Sequence, residues 1–243
     1  LAATSPRPLT RIGVVGGGTM GAGIVAACRD AGLPVVLIER DGQALAGGLA
    51  KVKAVYDNAV KRGRLTPQQA QDKIEGVTGQ TDYAALAACD LVIEAVFEDL
   101  AVKQAVFVEL DRVCRPDTVL ATNTSYLDPA AIAAKLSHRD RFLGLHFFSP
   151  AQVMKLLEIV STPETDPAVL ATGFALARAM NKIPVRSGIC DGFIGNRILK
   201  TTRAQAERLL LAGASPTDVD AAMRSFGFAM GPFEAQDLGG LDI

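Results

Sequence analysis

The chain has 243 residues, in which 25 Lys and Arg face 26 Asp and Glu for a formal net charge of -1. So close a balance excludes a basic nucleic-acid binder or a polyacidic tail, since either needs a field of one sign. Hydrophobic residues make up 49% and charged residues 21%, which supplies a sizeable core and excludes disorder. No apolar run approaches the ~20 residues of a membrane span, and the opening Leu1 to Pro8 has no signal-like apolar stretch. Cys28, Cys89, Cys114 and Cys190 lie far apart without CxxC pairing, and the chain has 2 histidines, so neither a zinc site nor a disulfide framework is indicated. A reducing intracellular compartment, the cytoplasm, is the expectation.

In chain order, residues 1–10 read as a linker-like segment. Ile12–Val15 and Val35–Ile38 are predicted strands, with a helix between them inside Gly16 to Gly32. Asp41 can cap a long helix running towards Arg62, and Thr66-Pro67-Gln68-Gln69 has the form of a capping box with a first-turn proline. Leu91–Val96 is an apolar strand interrupted only by Glu94. Leu100 to Cys114 follows as a helix with Val102, Val106, Leu110 and Val113 at helical spacing. Val119–Thr122, Phe142–Phe147, Leu156–Val160 and Ile183–Val185 are further strands, and Asp166 to Ala179 is a helix before the last of them. Strands alternating with helices in this way predict an α/β domain with a mostly parallel sheet. After Ser187 only helices are expected, with Ile194, Ile198, Leu209 and Leu210 on one face and Pro216 opening another. This divides the chain into residues 11–187 and a small helical piece, 188–243, that must pack against the first domain, a second copy or further chain.

Gly16-Gly17-Gly18-Thr19-Met20-Gly21 is a GxGxxG turn between strand and helix. Its first glycine makes the turn, the second lets backbone N–H groups approach a pyrophosphate, and the third lets helix and strand pack closely. Glu39 ends the second strand at the distance expected of the carboxylate that binds the adenine ribose, and it repels a 2′-phosphate, so NAD is favoured over NADP. Asn123-Thr124-Ser125 follows a strand and therefore sits at the sheet edge where ligands of open α/β folds bind; a plain turn capped by Asp128 is the alternative. Lys103 reads as a solvated helix charge. His146, near the end of an apolar strand, reads as a core histidine on its own. Glu158 changes that reading, because a buried strand carboxylate costs several kcal/mol without a partner. If the two strands pair, His146 is that partner and becomes a general base. His138, among charges, reads as surface. Asp191 reads as a helix cap, which leaves Asn196 either exposed or directed into a cleft.

Six segments in this order resemble the 3-hydroxyacyl-CoA dehydrogenase family, also found as the dehydrogenase section of multifunctional fatty-acid oxidation enzymes. They are Gly16 to Gly21, Ile93 to Glu98, Ala121 to Ser125, Leu145 to Pro150, Asp191 to Arg197 and Gly231-Pro232-Phe233. The resemblance runs from Arg11 to Ile243. It implies a Rossmann-type, doubly wound NAD-binding domain followed by an all-helical domain that is here shorter than the family's usual one. It implies His146 as base, Glu158 as its partner, and Ser125 and Asn196 as substrate contacts. Cofactor contacts would fall on Gly16, Gly17, Gly18, Thr19, Met20, Gly21, Glu39, Glu98, Lys103, Asn123, Ser125 and Ser149. Position 39 is Glu where Asp is common, and position 149 is Ser where Asn is usual. Coenzyme A contacts would lie between Gly48 and Gly63, with Lys61 or Arg62 as candidates. The implied reaction is NAD-dependent, reversible oxidation of a 3-hydroxyacyl-CoA in fatty-acid β-oxidation or butanoate-type metabolism; a homodimer through the helical domain is the candidate assembly, left open by the shortness of that domain here. The alternatives are a dehydrogenase of a smaller 3-hydroxy acid and a non-catalytic, crystallin-like dinucleotide binder.

Overall fold

The computed structural model describes residues 4–239; the parts of the linker-like segment and of the helical piece that fall on residues 1–3 and 240–243 lie outside it. The chain divides into two compact units, Leu1–Asp191 and Gly192–Ile243, where composition places the change at Ser187. The first unit carries β1 (Ile12–Val15), β2 (Val35–Ile38), β3 (Val77–Gln80), β4 (Leu91–Glu94), β5 (Val119–Thr122), β6 (Phe142–Phe147), β7 (Leu156–Val160) and β8 (Ile183–Ser187). Its helices are α1 (Thr19–Asp30), α2 (Gly42–Lys61), α3 (Pro67–Glu75), α4 (Leu100–Val113), α5 (Pro129–Ile132) and α6 (Pro167–Ala179). Asp41 caps α2, Thr66 and Gln69 close the capping box of α3, and Asp166 caps α6.

All eight strands form one sheet in the order β3-β2-β1-β4-β5-β6-β7-β8. The first six in that order are parallel; β7 runs antiparallel to β6, and β8 parallel to β7. Successive strand residues feed opposite faces, as a period of two requires. Ile12, Val14, Val35, Leu37, Leu91, Ile93, Leu143 and Leu145 pack with α1 and α6, whereas Val15, Val36, Ile38, Val92, Leu120 and Phe142 pack with Phe107 and Leu110 of α4. Each fully buried Val, Leu or Ile stabilises the fold by roughly 1.5–3 kcal/mol relative to exposure. The chain leaves β1 towards β2 on one side and returns to β4 on the other, so the loops after β1 and β4 diverge and open a crevice at the carboxyl edge.

Several expectations are corrected. β3 was not anticipated: Val-Thr-Gly-Gln is half exposed on the sheet's edge, and Gly79 gives way to Leu45 and Leu49 of α2. β4 stops at Glu94 rather than Val96, because the Glu94 carboxylate accepts from the Val96 N–H at 2.8 Å and turns the chain. The inward face of α4 is Lys103, Phe107 and Leu110, while Val102 is exposed. The linker-like segment is docked from Arg7 onwards. Arg7 N–H donates to the Thr172 hydroxyl at 2.8 Å, and its guanidinium donates to the Asp117 carbonyl.

The second unit holds α7 (Gly195–Leu211), α8 (Pro216–Phe226) and α9 (Pro232–Gly239). The cap position of α7 is Ile194 rather than Asp191, and Ile194 therefore lies outside the helix. Of the apolar face anticipated on α7, Ile198 and Leu209 are exposed. Buried Asp220 accepts from the N–H groups of Phe233 and Glu234 at 3.0 and 3.1 Å and so caps α9. A Cβ on Gly231 would lie 2.0 Å from that carboxylate, which is why a glycine precedes Pro232.

Asp90 anchors the incoming segment. It accepts from the Thr10 N–H and hydroxyl at 2.7 Å each, from Arg11 N–H at 3.1 Å and from Arg115 at 2.9 Å. Burial acts to raise its carboxyl, but these donors outweigh burial and hold it below the usual range. A carboxyl depressed in the native state stabilises above its unfolded pKa of about 3.9 and loses that effect as pH falls through the native value. Asp90→Asn is therefore expected to melt several degrees below the parent at pH 7, with the gap closing as pH is lowered towards about 3. Melting curves at both pH values test this; a gap of the same size at both would contradict it.

Candidate active site

The glycine turn sits on the carboxyl end of β1. Gly16 adopts φ +100 and a Cβ there would meet the Ala95 carbonyl oxygen at 2.7 Å; at Gly21 a Cβ would lie 1.8 Å from the Gly16 oxygen. Gly18 differs, since a Cβ would meet nothing within 4 Å. A Cβ there would face open space, so the fold itself does not require glycine at this position. α1 starts at Thr19 with no side-chain cap, leaving its first-turn N–H groups and positive dipole end for an anion. Met20 packs against the core and Thr19 is exposed. Glu39 accepts from Gly17 N–H at 2.6 Å and from Arg40 N–H at 3.1 Å, so its carboxylate is held beside the turn.

Lys103, expected in solvent, is 1% exposed. Its ammonium donates to Glu94 at 2.6 Å and lies 3.2 Å from Glu98. Glu94, which sequence reasoning passed over, is fully buried and also accepts from the Thr122 hydroxyl at 2.6 Å. Glu98 accepts from the Thr124 hydroxyl at 2.5 Å and from the N–H groups of Ser125 and Tyr126 at 2.8 and 3.1 Å. Burial acts to raise the Glu98 carboxyl, but the Thr124 hydroxyl, Lys103 and the two amides outweigh it and hold the group below its ordinary value. Asn123 uses its side-chain oxygen to accept from Phe147 N–H at 2.9 Å, joining the ends of β5 and β6.

On β6 and β7, His146 and Glu158 are direct cross-strand partners. Nδ1 of the ring lies 2.6 Å from Glu158 Oε2, with the histidine 3% and the glutamate 0% exposed. The Phe148 ring lies 4.5 Å from the imidazole at a tilt of 49°. A carboxylate at Nδ1 places the ring proton there and makes Nε2 the basic nitrogen. Ser149 is exposed just beyond β6, Ser125 is half-buried, and His138 is exposed. Asn196 belongs to the second unit, in the first turn of α7, half-buried. A cleft of about 700 Å³ runs along α2, lined among others by Lys51, Asn58, Arg62, Arg64 and Gln152. Lys61 is exposed and does not line it. Burial pushes the Cys28 and Cys89 thiols up to about 12, so neither supplies a thiolate at neutral pH.

A strand, glycine turn and helix with a carboxylate at the next strand end define an NAD-binding domain of an oxidoreductase, here with a buried His–Glu pair on the same sheet. The chain belongs to the 3-hydroxyacyl-CoA dehydrogenase family: residues 11–190 match its NAD binding domain and residues 192–243 its C-terminal domain. Among curated relatives, the peroxisomal bifunctional enzymes of Cavia porcellus and Homo sapiens are each 41% identical over 98% of this chain. The chain spans about a third of their length, 32% and 33%. Among solved structures, FadB2 of M. tuberculosis has a TM-score of 0.94 at 38% identity, covering 97% of this chain and 84% of that one. The 3-hydroxybutyryl-CoA dehydrogenase of Escherichia coli has a TM-score of 0.91 at 41% identity, covering 97% and 50%. Among the described residues, no helix is long and apolar enough to cross a membrane.

Gly18 gives the sharpest check on the cofactor turn. Gly18→Ala is expected to melt within about 2 °C of the parent, since its backbone suits alanine and no protein atom is near, yet to bind NADH at least about ten-fold more weakly. Thermal melts and NADH fluorescence titration measure the two effects; undiminished affinity would show that no ligand backs onto this glycine.

Proposed function

We propose that this chain catalyses the NAD-dependent, reversible oxidation of a 3-hydroxyacyl-CoA to the 3-ketoacyl-CoA, as in fatty-acid β-oxidation. The observation that carries the reading is the buried His146–Glu158 pair in a chain of this family. The backbone of Gly16 to Gly21 would hold the pyrophosphate and Glu39 the adenine ribose, with Glu98, Lys103, Asn123, Ser125 and Ser149 on the loops beyond β4, β5 and β6. The bound cofactor supplies a hydride acceptor and donor at the substrate's C3. His146 takes the hydroxyl proton on Nε2 during oxidation and returns it to the oxygen during reduction. Glu158 keeps the ring in one tautomer and balances the charge of the imidazolium. Ser125 and Asn196 would orient the substrate oxygens.

The cationic wall of the α2 cleft supports coenzyme A as the carrier. Lys51, Arg62 and Arg64 offer charge for its phosphates beside apolar Val55 and Val153, whereas Lys61 is set aside. A non-catalytic dinucleotide binder has no use for a buried carboxylate aimed at a histidine, and a small hydroxy acid has no use for this cleft. We place the protein in a reducing intracellular compartment, supported by the buried thiols of Cys28, Cys89 and Cys114. The relatives' peroxisomal names make that organelle an alternative to the cytoplasm. A homodimer through the helical unit would cover exposed Ile198, Leu211 and Phe226.

Loss of NADH absorbance on adding acetoacetyl-CoA tests the activity. The parent is expected to turn over with NADH and poorly with NADPH, and His146→Gln to lose roughly 10²–10⁴ in kcat with NADH affinity little changed. No acetoacetyl-CoA-dependent oxidation by the parent would sink the proposal, and near-native turnover by the variant would remove His146 from its role.

A further inference from the structure

Glu94 has no surface with which to touch a ligand, yet it is a charged group in the middle of the crevice's floor. It is 0% exposed at the last position of β4, the strand beside β1 at the point where the sheet order reverses. Burying a carboxylate there costs several kcal/mol before its contacts are counted. A hydrophobic residue would complete this strand at no such cost, so the charge calls for a purpose beyond packing.

We infer that Glu94 is a positioning residue for the dinucleotide site, acting through Lys103 to fix the loops after β1, β4 and β5 relative to one another; this rests on the NAD-dependent reading above. The contacts form one connected path. Glu94 accepts from Thr122 at the end of β5, from Val96 N–H in the turn after β4, and from Lys103. The Lys103 ammonium also approaches the Val96 carbonyl at 3.4 Å and reaches on to Glu98 at 3.2 Å. Glu98 then gathers Thr124, Ser125 and Tyr126 of the β5 loop. The same β4 turn presents the Ala95 carbonyl against Gly16, so the glycine turn rests on it. One cation between two carboxylates thus joins the loops after β4 and β5, and the turn after β1 rests on the first of them. The outer carboxylate, Glu98, is 36% exposed and is the end of the path that can meet a ligand.

A purely structural ion pair predicts something different. Replacing such a pair by neutral side chains is often neutral or stabilising, while removing one partner leaves the other charge buried and alone. Stability and cofactor affinity should therefore separate. The chain contains no Trp, so NADH emission can be read without indole background. The experiment compares the parent with Glu94→Gln, Lys103→Met and the double variant by NADH fluorescence titration, steady-state kinetics with acetoacetyl-CoA and thermal melting. Glu94→Gln is expected to raise the Kd and KM for NADH about ten-fold, within the range that partners in one hydrogen-bond network carry, with kcat changed less than about three-fold. The double variant is expected to melt close to the parent and above either single variant, yet to bind NADH no better than Lys103→Met and no worse, because Glu94 acts through that lysine. A Kd for Glu94→Gln within about two-fold of the parent's, additive losses in the double variant, or recovery of affinity together with stability would each overturn the inference. Absence of NADH binding by the parent would instead overturn the functional reading, and this inference with it.

Discussion

The reversal of strand direction at β7 is the constraint on which the candidate site depends. Six parallel strands deliver their loops to one edge of the sheet, and a seventh parallel strand would be offset from β6 by slanted hydrogen bonds. Running antiparallel, β7 sets Glu158 directly across from His146, close enough for a 2.6 Å contact between side chains that are both almost wholly buried. A carboxylate with 0% exposure needs a donor, and a histidine with a carboxylate on Nδ1 has its basicity directed to Nε2. Register, burial and the placement of one proton are thus a single arrangement.

The cofactor edge obeys the same rule with different parts. Glu94 and Glu98 share Lys103, and the hydroxyls of Thr122 and Thr124 complete their shells. Two buried charge systems therefore lie on one sheet, one at the ends of β4 and β5 and the other spanning β6 and β7. Asn123 connects these regions through its bond to Phe147 N–H, one residue beyond His146. The loop after β5 and the strand that carries His146 are thus joined by a side-chain hydrogen bond.

Much of this was legible in the sequence because the relevant signals are local. Apolar runs marked seven of the eight strands, and Asp41 and Thr66 announced their helices through capping chemistry. The strain of an unpaired strand carboxylate was enough to suggest the His146–Glu158 contact. What escaped was non-local. β3 holds a single large apolar residue and lies at the edge, where period-two burial is weak. Lys103 was read against Val102, Val106, Leu110 and Val113, whereas Phe107 and Leu110, four and seven residues on, were the signal that it faces inward. Glu94 was visible as a lone charge in an apolar run, the same cue that singled out Glu158, but its partners come from β5 and α4. The docking of Arg7 and Thr10 depends on Thr172, Asp117 and Asp90, far away in sequence.

The central claim is that Glu158 fixes the proton of His146 on Nδ1 and so makes Nε2 the acting base. The chain has 2 histidines, and His138 is exposed, so histidine-selective ¹⁵N labelling separates the two rings by exchange behaviour. NMR of the protein above the titration range of histidine should show His146 as the Nδ1–H tautomer, with a slowly exchanging, strongly downfield proton that disappears in Glu158→Gln. A ring found as the Nε2–H tautomer, or a signal unaffected by that substitution, would contradict the account.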